Sequence, residues 1–235
     1  MSYIYHIVQF RDGSAYTMFD VCDWKCTYCI RNVSLWCSSL PEGTVKMLNR
    51  AGIKYLATDQ IVRILKENLV KLVFLGGGEP TQDPGLKALM HALNLNSIES
   101  WLITNGELLN DEIFNLAKGI TFSIKAFDEA AHMRLTGKSN RKVLENFERY
   151  GKFDKVTAET VFYPKLVDCK EIMKVAGFVH GVNPGAKFRV DPAVQIRDIG
   201  ELKKCVDRVK AIHERTYYFQ FEDKLESPKL LYPEI

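Results

Sequence analysis

Long apolar runs are missing from this chain. No stretch approaches the ~20 apolar residues that a bilayer-spanning helix needs. The opening Met1-Ser2-Tyr3-Ile4-Tyr5-His6 lacks the basic start and apolar run of a secretory leader. A strong charge bias is missing too. The 32 Lys and Arg against 29 Asp and Glu leave a formal net charge of +3 over 235 residues, scattered rather than patched. That balance calls for neither nucleic acid nor an anionic membrane as a partner. Internal repeats, low-complexity tracts and linker-like breaks are also absent. What remains is a cytoplasmic globular chain, expected to form one domain over 1–235 with a strand extension at about 1–14 and a tail at about 222–235.

Cysteine is scarce, and its distribution is uneven. Of six cysteines, three fall within eight residues, Cys22, Cys26 and Cys29, while Cys37, Cys169 and Cys205 are scattered. In a reducing compartment a tight group of thiols is a metal site more readily than a disulfide framework. The scattered three read as buried small side chains or inert thiols, since none has a near neighbour in sequence.

Short β-rich runs at 15–19, 71–75, 100–104, 120–124, 156–162 and 187–191 alternate with helical patterns. Thr58 reads as an N-cap ahead of Ile61, Ile64 and Leu65, which fall on one helix face. Pro84 suits the start of a helix carrying Leu86, Leu89, Met90 and Leu93. Further helices are expected at 111–117, 141–150, 169–179 and 199–212. Six strand–helix units argue for an α/β fold with a parallel sheet and helices outside it. A complete eight-unit barrel takes about 250 residues, and a strand-like run at 3–10 also needs room. The expectation is a partial (βα)6 barrel, with a doubly wound open sheet as the alternative.

The loop Cys22-Asp23-Trp24-Lys25-Cys26-Thr27-Tyr28-Cys29 follows the first barrel strand, where parallel α/β folds place their sites. Three thiolates can ligate three irons of a cubane, leaving the fourth iron open, whereas an electron-transfer cluster takes four cysteines. A structural zinc site or reactive thiol pair is the competing reading. No second Cys or Cys/His pair follows to complete a zinc shell, and His6 and Cys37 have no usual spacing for it. Gly76-Gly77-Gly78-Glu79-Pro80 ends the second run, and glycines there let backbone approach a ligand closely. A plain strand-to-helix turn would look the same.

The two segments together resemble the radical SAM superfamily. Cys22, Cys26 and Cys29, with Tyr28 before the last, match its cluster loop, and Gly76 to Pro80 its methionine-binding turn. The resemblance implies a [4Fe–4S] cluster on the three cysteines and S-adenosylmethionine (SAM) chelated to the open iron. A 5′-deoxyadenosyl radical, formed by one-electron cleavage of SAM, would then abstract hydrogen from a substrate. It implies adenine contacts near Tyr28, and a methionyl amine framed by Gly76, Gly77, Gly78 and Glu79. Thr104 and Asn105 would lie near the same end of SAM.

Within the superfamily the likeness is nearest to glycyl-radical-enzyme activases. Gly77 to Thr81, Thr104-Asn105-Gly106, and His132-x-x-Leu135-Thr136-Gly137-x-x-Asn140 followed by Val143-Leu144-Glu145-Asn146 carry it. A helix, a glycine turn and a second helix would also account for the last stretch. The likeness implies a protein partner bearing the target glycine and an electron donor such as flavodoxin or ferredoxin. The chain departs from the pattern where Ile103 precedes Thr104 and where Ser123-Ile124-Lys125 replaces an Asp-x-Lys. Both departures remove carboxylates from a monovalent-cation site. Lys125 is retained to reach the SAM carboxylate. Glu159 and Val194 stand where an Arg and a His are expected, and Arg189 and Asp191 are candidates to take over polar contacts. No catalytic side chain beyond cluster and SAM is assigned. Alternative substrates are a small molecule, a peptide or RNA, and a non-enzymatic Fe–S or zinc protein is a further reading.

Overall fold

A computed structural model describes residues 2–219 and 227–234. Nine strands form one sheet in the order β8-β7-β6-β5-β4-β3-β2-β1-β9. They are β1 (Ile4–Gln9), β2 (Ala15–Phe19), β3 (Leu72–Gly77), β4 (Glu99–Thr104), β5 (Gly119–Ser123), β6 (Val156–Phe162), β7 (Phe188–Pro192), β8 (Thr216–Tyr217) and β9 (Lys229–Tyr232). Neighbours from β2 through β8 are parallel, while β1 runs antiparallel to both β2 and β9.

Helices cross between the parallel strands. They are α1 (Glu42–Ala51) and α2 (Thr58–Glu67) after β2, α3 (Leu86–Leu95) after β3, and α4 (Asp111–Leu116) after β4. Then come α5 (Glu129–Thr136) and α6 (Arg141–Tyr150) after β5, α7 (Cys169–Val182) after β6, and α8 (Gly200–Lys210) after β7. The parallel order never reverses. With right-handed crossovers, a sheet without a reversal carries its helices on one face and curls. That excludes the doubly wound alternative. Because β8 and β9 end the sheet, the barrel of six strand–helix units stays open.

Side-chain alternation sorts the two faces of the sheet. Val73, Leu75, Leu102, Ile120, Phe122, Ala158, Phe188 and Val190 are buried in one core with Leu65, Leu89, Phe147, Val175 and Val206 from the helices. Each buried Val, Leu, Ile or Phe among them contributes roughly 1.5–3 kcal/mol by leaving water. The alternate positions Phe74, Trp101, Thr121, Thr157, Arg189 and Tyr217 line a concave cavity of about 370 Å³.

A second core gathers Tyr5, Val8, Met18, Trp36, Leu40 and Leu48, where the chain after the cysteine loop packs against β1 and β2. His6 lies in this region. Its Nδ1 donates to the Tyr232 carbonyl at 3.0 Å, and its Nε2 accepts from the Cys37 amide at 3.3 Å. One neutral tautomer satisfies both bonds, and burial pushes the imidazole down to about 4. His6 thus ties β1 to β9 and to the chain at Cys37.

Three local expectations are corrected. Ala57, not Thr58, caps α2, because Gln60 Oε1 reaches back to the Ala57 amide at 2.8 Å and fixes the first turn one residue earlier. Cys169 and Cys205 are not isolated thiols: the packing of α7 on α8 brings them into a disulfide. Of the expected tail, 222–226 lies outside the described residues, while Lys229–Tyr232 extends the sheet as β9.

Candidate functional site

The carboxyl ends of β2 to β5 carry the cysteine loop, the Gly76–Glu79 turn, Thr104–Asn105 and Ser123–Lys125, while Arg189 and Asp191 lie on β7 and His132 and Asn140 on and after α5. At the first crossover, the turn after β3 is tied to the chain entering the cysteine loop. Gly78 N donates to Phe19 O at 2.8 Å and Glu79 N to Val21 O at 2.6 Å. Only glycine fits at Gly78, since a Cβ would stand 2.3 Å from Val21 O. Gly77 has φ +91°, a conformation that penalises any side chain.

Glu79 is 2% exposed and gathers the neighbouring turns. Its Oε1 accepts from Thr81 N at 3.1 Å, Thr81 Oγ1 at 2.6 Å and Thr104 Oγ1 at 2.6 Å. Its Oε2 accepts from Asn105 N at 2.6 Å, leaving a lone pair for one further donor. Burial pushes this carboxyl up, and the hydrogen bonds offset only part of that. So Glu79 and the Thr104–Asn105 pair, 25 residues away in sequence, share one knot.

Cys22 is exposed, Cys26 and Cys29 are half-buried, and none of them is in a disulfide. Burial raises the half-buried Cys26 thiol above its ordinary range. Among the described residues no three His, Cys, Asp or Glu side chains gather closely enough for a single ion. A cubane distributes its thiolates over separate irons, so it does not ask them to meet at one point. Beside them Tyr28 is buried, and its Oη has no hydrogen-bond partner among the described residues. Burial, then the Cys26 and Glu159 charges, hold this phenol well above its ordinary range. Lys125 Nζ lies 6.0 Å from the Tyr28 ring centroid. An orphaned hydroxyl beside three reduced thiols and a lysine fits an incoming polar cofactor better than a finished core.

On the opposite side of the mouth, Ser123, Glu159, Arg189 and Tyr217 stand in one register row across β5 to β8. Ser123 Oγ donates to Glu159 Oε1 at 2.5 Å, and Arg189 Nη2 pairs with Glu159 Oε2. Arg189 Nε is 2.9 Å from Asp191 Oδ2. Burial alone would raise the Glu159 carboxyl, but Arg189 and Lys125 outweigh it and the net shift is downward. Asp191 goes the other way, to about 6, because burial exceeds the help from Arg189. Its Oδ1 is buried without a hydrogen-bond partner among the described residues.

Glu159 was missed as a site residue, although its position was legible. Val156, Ala158 and Phe162 mark the core side of β6, which sends Glu159 to the concave side. His132 and Asn140 are both buried. His132 Nδ1 is 2.8 Å from the Lys138 carbonyl, and Asn140 Nδ2 donates to the Ala126 and Phe127 carbonyls at 3.1 and 2.6 Å. Trp24, Glu107 and Asn146 were not singled out for the site, yet they join the cysteine loop to the Thr104–Asn105 turn.

Comparison with known proteins places the chain in a family. Residues 16–178 match the family model described as the Radical SAM superfamily. A protein of Methanocaldococcus jannaschii named as a glycyl-radical enzyme activating enzyme, MJ1632, is 32% identical over 167 residues, covering 67% of this chain and 59% of its own length. The pyruvate formate-lyase-activating enzyme of Staphylococcus epidermidis is 28% identical over 136 residues, covering 53% of this chain and 54% of its own. The alignments thus span little more than half the length of either relative. Among solved structures, Streptococcus suis SuiB bound to S-adenosylmethionine superposes with a TM-score of 0.60 at 19% identity, covering 84% of this chain and 44% of that one. At that identity the match speaks for the fold.

Proposed function

This chain belongs to the radical SAM superfamily, and from that premise we propose that it activates a glycyl radical enzyme by removing hydrogen from a glycine of a protein partner. The observation that carries this reading is the 32% identity to the activating enzyme named above. The opening between β8 and β9 supports it, because an unclosed sheet leaves its concave face accessible to a peptide loop.

In this reading Cys22, Cys26 and Cys29 hold a [4Fe–4S] cluster and leave one iron for SAM. When bound, the pair supplies a 5′-deoxyadenosyl radical by one-electron cleavage of SAM. The protein's part is to bind, orient and exclude. Gly76, Gly77 and Gly78 bring backbone against the methionyl end, with Glu79, Thr104 and Asn105 fixing that turn and offering one carboxylate lone pair. Tyr28 offers its unpartnered hydroxyl. Lys125 brings positive charge, and Ser123, Arg189 and Asp191 present the polar row on the far side. A flavodoxin- or ferredoxin-like protein would deliver the electron.

A small-molecule substrate is the second reading, favoured by the polar row of Arg189 and Asp191 at the mouth, where Asp191 Oδ1 is unpartnered among the described residues. The cavity of about 370 Å³ instead reaches the amino ends of the strands at Asp154, Lys187 and Arg215. Anaerobic reconstitution with iron, sulfide, strong reductant and SAM tests the chemistry by release of 5′-deoxyadenosine and methionine. Adding candidate glycyl radical proteins tests the substrate, through a glycyl EPR doublet and deuterium transfer from labelled glycine. Cleavage of SAM with no doublet for any such partner would replace the activase with the small-molecule reading.

A further inference from the structure

The cysteine loop has almost no secondary structure of its own, yet it is fastened at nearly every position between its thiols. Asp23 pairs with Lys138 at 2.9 Å. Lys25 N donates to Thr136 O at 2.9 Å, and Thr27 N to Leu135 O at 3.0 Å. Those carbonyls belong to the last turn of α5, where a helix leaves acceptors unpaired. Gly137, at φ +79°, turns the chain away and leaves them open to the loop.

Trp24 is the centre of this attachment, two residues from Cys22 and two from Cys26. Its indole Nε1 donates to Glu107 Oε2 at 2.8 Å. Its ring meets buried His132 edge to face at a centroid distance of 4.9 Å. Glu107 is itself fixed, because its amide donates to Asn105 Oδ1 at 2.9 Å and its carbonyl accepts from Asn146 Nδ2 at 3.1 Å. His132 is anchored on the Lys138 carbonyl, which can only accept, so Nδ1 carries the proton.

We propose that Trp24, Glu107 and His132 form a latch that sets the spacing of the Cys22 and Cys26 thiols before metal arrives. They are positioning residues, acting on the cluster through the loop backbone. A free loop of this length would lose conformational entropy on taking up a cluster; a latched one has already lost most of it. The latch also fixes the thiols relative to the Thr104–Asn105 turn, so cluster and SAM sites are set together. This inference rests on the cluster assignment made above.

Trp24→Phe keeps an aromatic ring near His132 but removes the indole N–H together with the fused five-membered ring, whereas changes at Glu107 leave the indole whole and touch only its hydrogen bond. Glu107→Ala removes the acceptor, while Glu107→Gln retains a carbonyl oxygen that can accept. With the anaerobically reconstituted chain of 235 residues, a chelator should strip iron about tenfold faster from Trp24→Phe and Glu107→Ala than from wild type, in line with one lost buried hydrogen bond. Glu107→Gln should fall near wild type. In the metal-free protein, the amides of Lys25 and Thr27 should exchange hydrogen faster in the first two variants, while α3 and α7 exchange as before. Equal stripping rates, or unchanged loop exchange, would overturn the latch. A wild-type chain that takes up no cluster would remove the assignment beneath it, a result recognisably different from a cluster that forms equally well in every variant.

Discussion

Two buried carboxylate nests flank the mouth of this barrel, and they are built on opposite plans. Glu79 is surrounded by neutral donors from two adjacent turns, Thr81, Thr104 and the Asn105 amide, and is almost saturated. Glu159 and Asp191 are instead held by Ser123 and Arg189 across three strands, with Asp191 Oδ1 left over. A saturated nest gains little from a ligand and loses much if opened. An unsaturated one carries a desolvation cost that an arriving donor relieves. The Glu79 side therefore reads as framework, and the Asp191 side as the surface that still awaits a contact.

The largest effect should come from opening the saturated nest. Glu79→Ala strips acceptors from the Thr81 and Asn105 amides and the Thr104 hydroxyl, the last two buried. A loss of about 3–5 kcal/mol is expected, read from chemical denaturation of the metal-free chain. Glu79→Gln should cost less. The hydroxyls can rotate to accept from its amide, but one backbone N–H then faces a donor. If Glu79→Ala were nearly neutral, the distinction between framework and recognition would fall.

The unsaturated nest should behave in the opposite sense. Asp191 sits at about 6 in the folded chain, raised by burial, against about 3.9 when unfolded. A raised carboxyl makes the folded state hold its proton longer. Stability from this group is therefore full below pH ~4 and declines as pH rises towards ~6. Asp191→Asn removes that decline. It should gain roughly 2 kcal/mol at pH 7.5, after allowance for the lost pairing with Arg189. At pH 4 it should gain nothing. Melting temperatures of wild type and variant at the two pH values decide it, and a variant less stable at pH 7.5 would show that Asp191 is already satisfied.

How much of this was legible in sequence depended on which force set each feature. The strand over 156–162 and the helix over 141–150 were read with their true bounds, because Val156, Ala158 and Phe162 alternate and Val143, Phe147 and Tyr150 share a face. Helix α1 was not read, since only Leu48 of its residues is buried and only Val45 joins it against the second core. The joining of Glu79 to Thr104 and Asn105 was anticipated only as shared proximity to SAM. The hydrogen bonds that make it arise from β3 and β4 being neighbours. Cys169 and Cys205 lie 36 residues apart, and nothing short of helix packing could have paired them. Trp24 carries no signal of its own in the sequence; its role needed Glu107 and His132, two and three crossovers away, to be seen beside it.

The smallest effect sharpens the comparison most. Ser123 donates one hydrogen bond to Glu159 Oε1, at 2.5 Å. Arg189 and Lys125 supply most of what keeps that carboxyl charged. If charge rather than hydrogen bonding governs this side, Ser123→Ala should cost only about 1 kcal/mol, near the usual net value of a single buried bond. High salt should leave that cost unchanged, because a neutral donor is not screened. Thr81→Val, the matched change on the Glu79 side, takes one of a closed set of neutral donors and should cost about 2 kcal/mol, since that carboxyl has no cation to fall back on. The ratio of the two, measured in one denaturant series, separates a nest held by hydrogen bonds from a nest held by ions, and a ratio near one would mean that both sides are built alike.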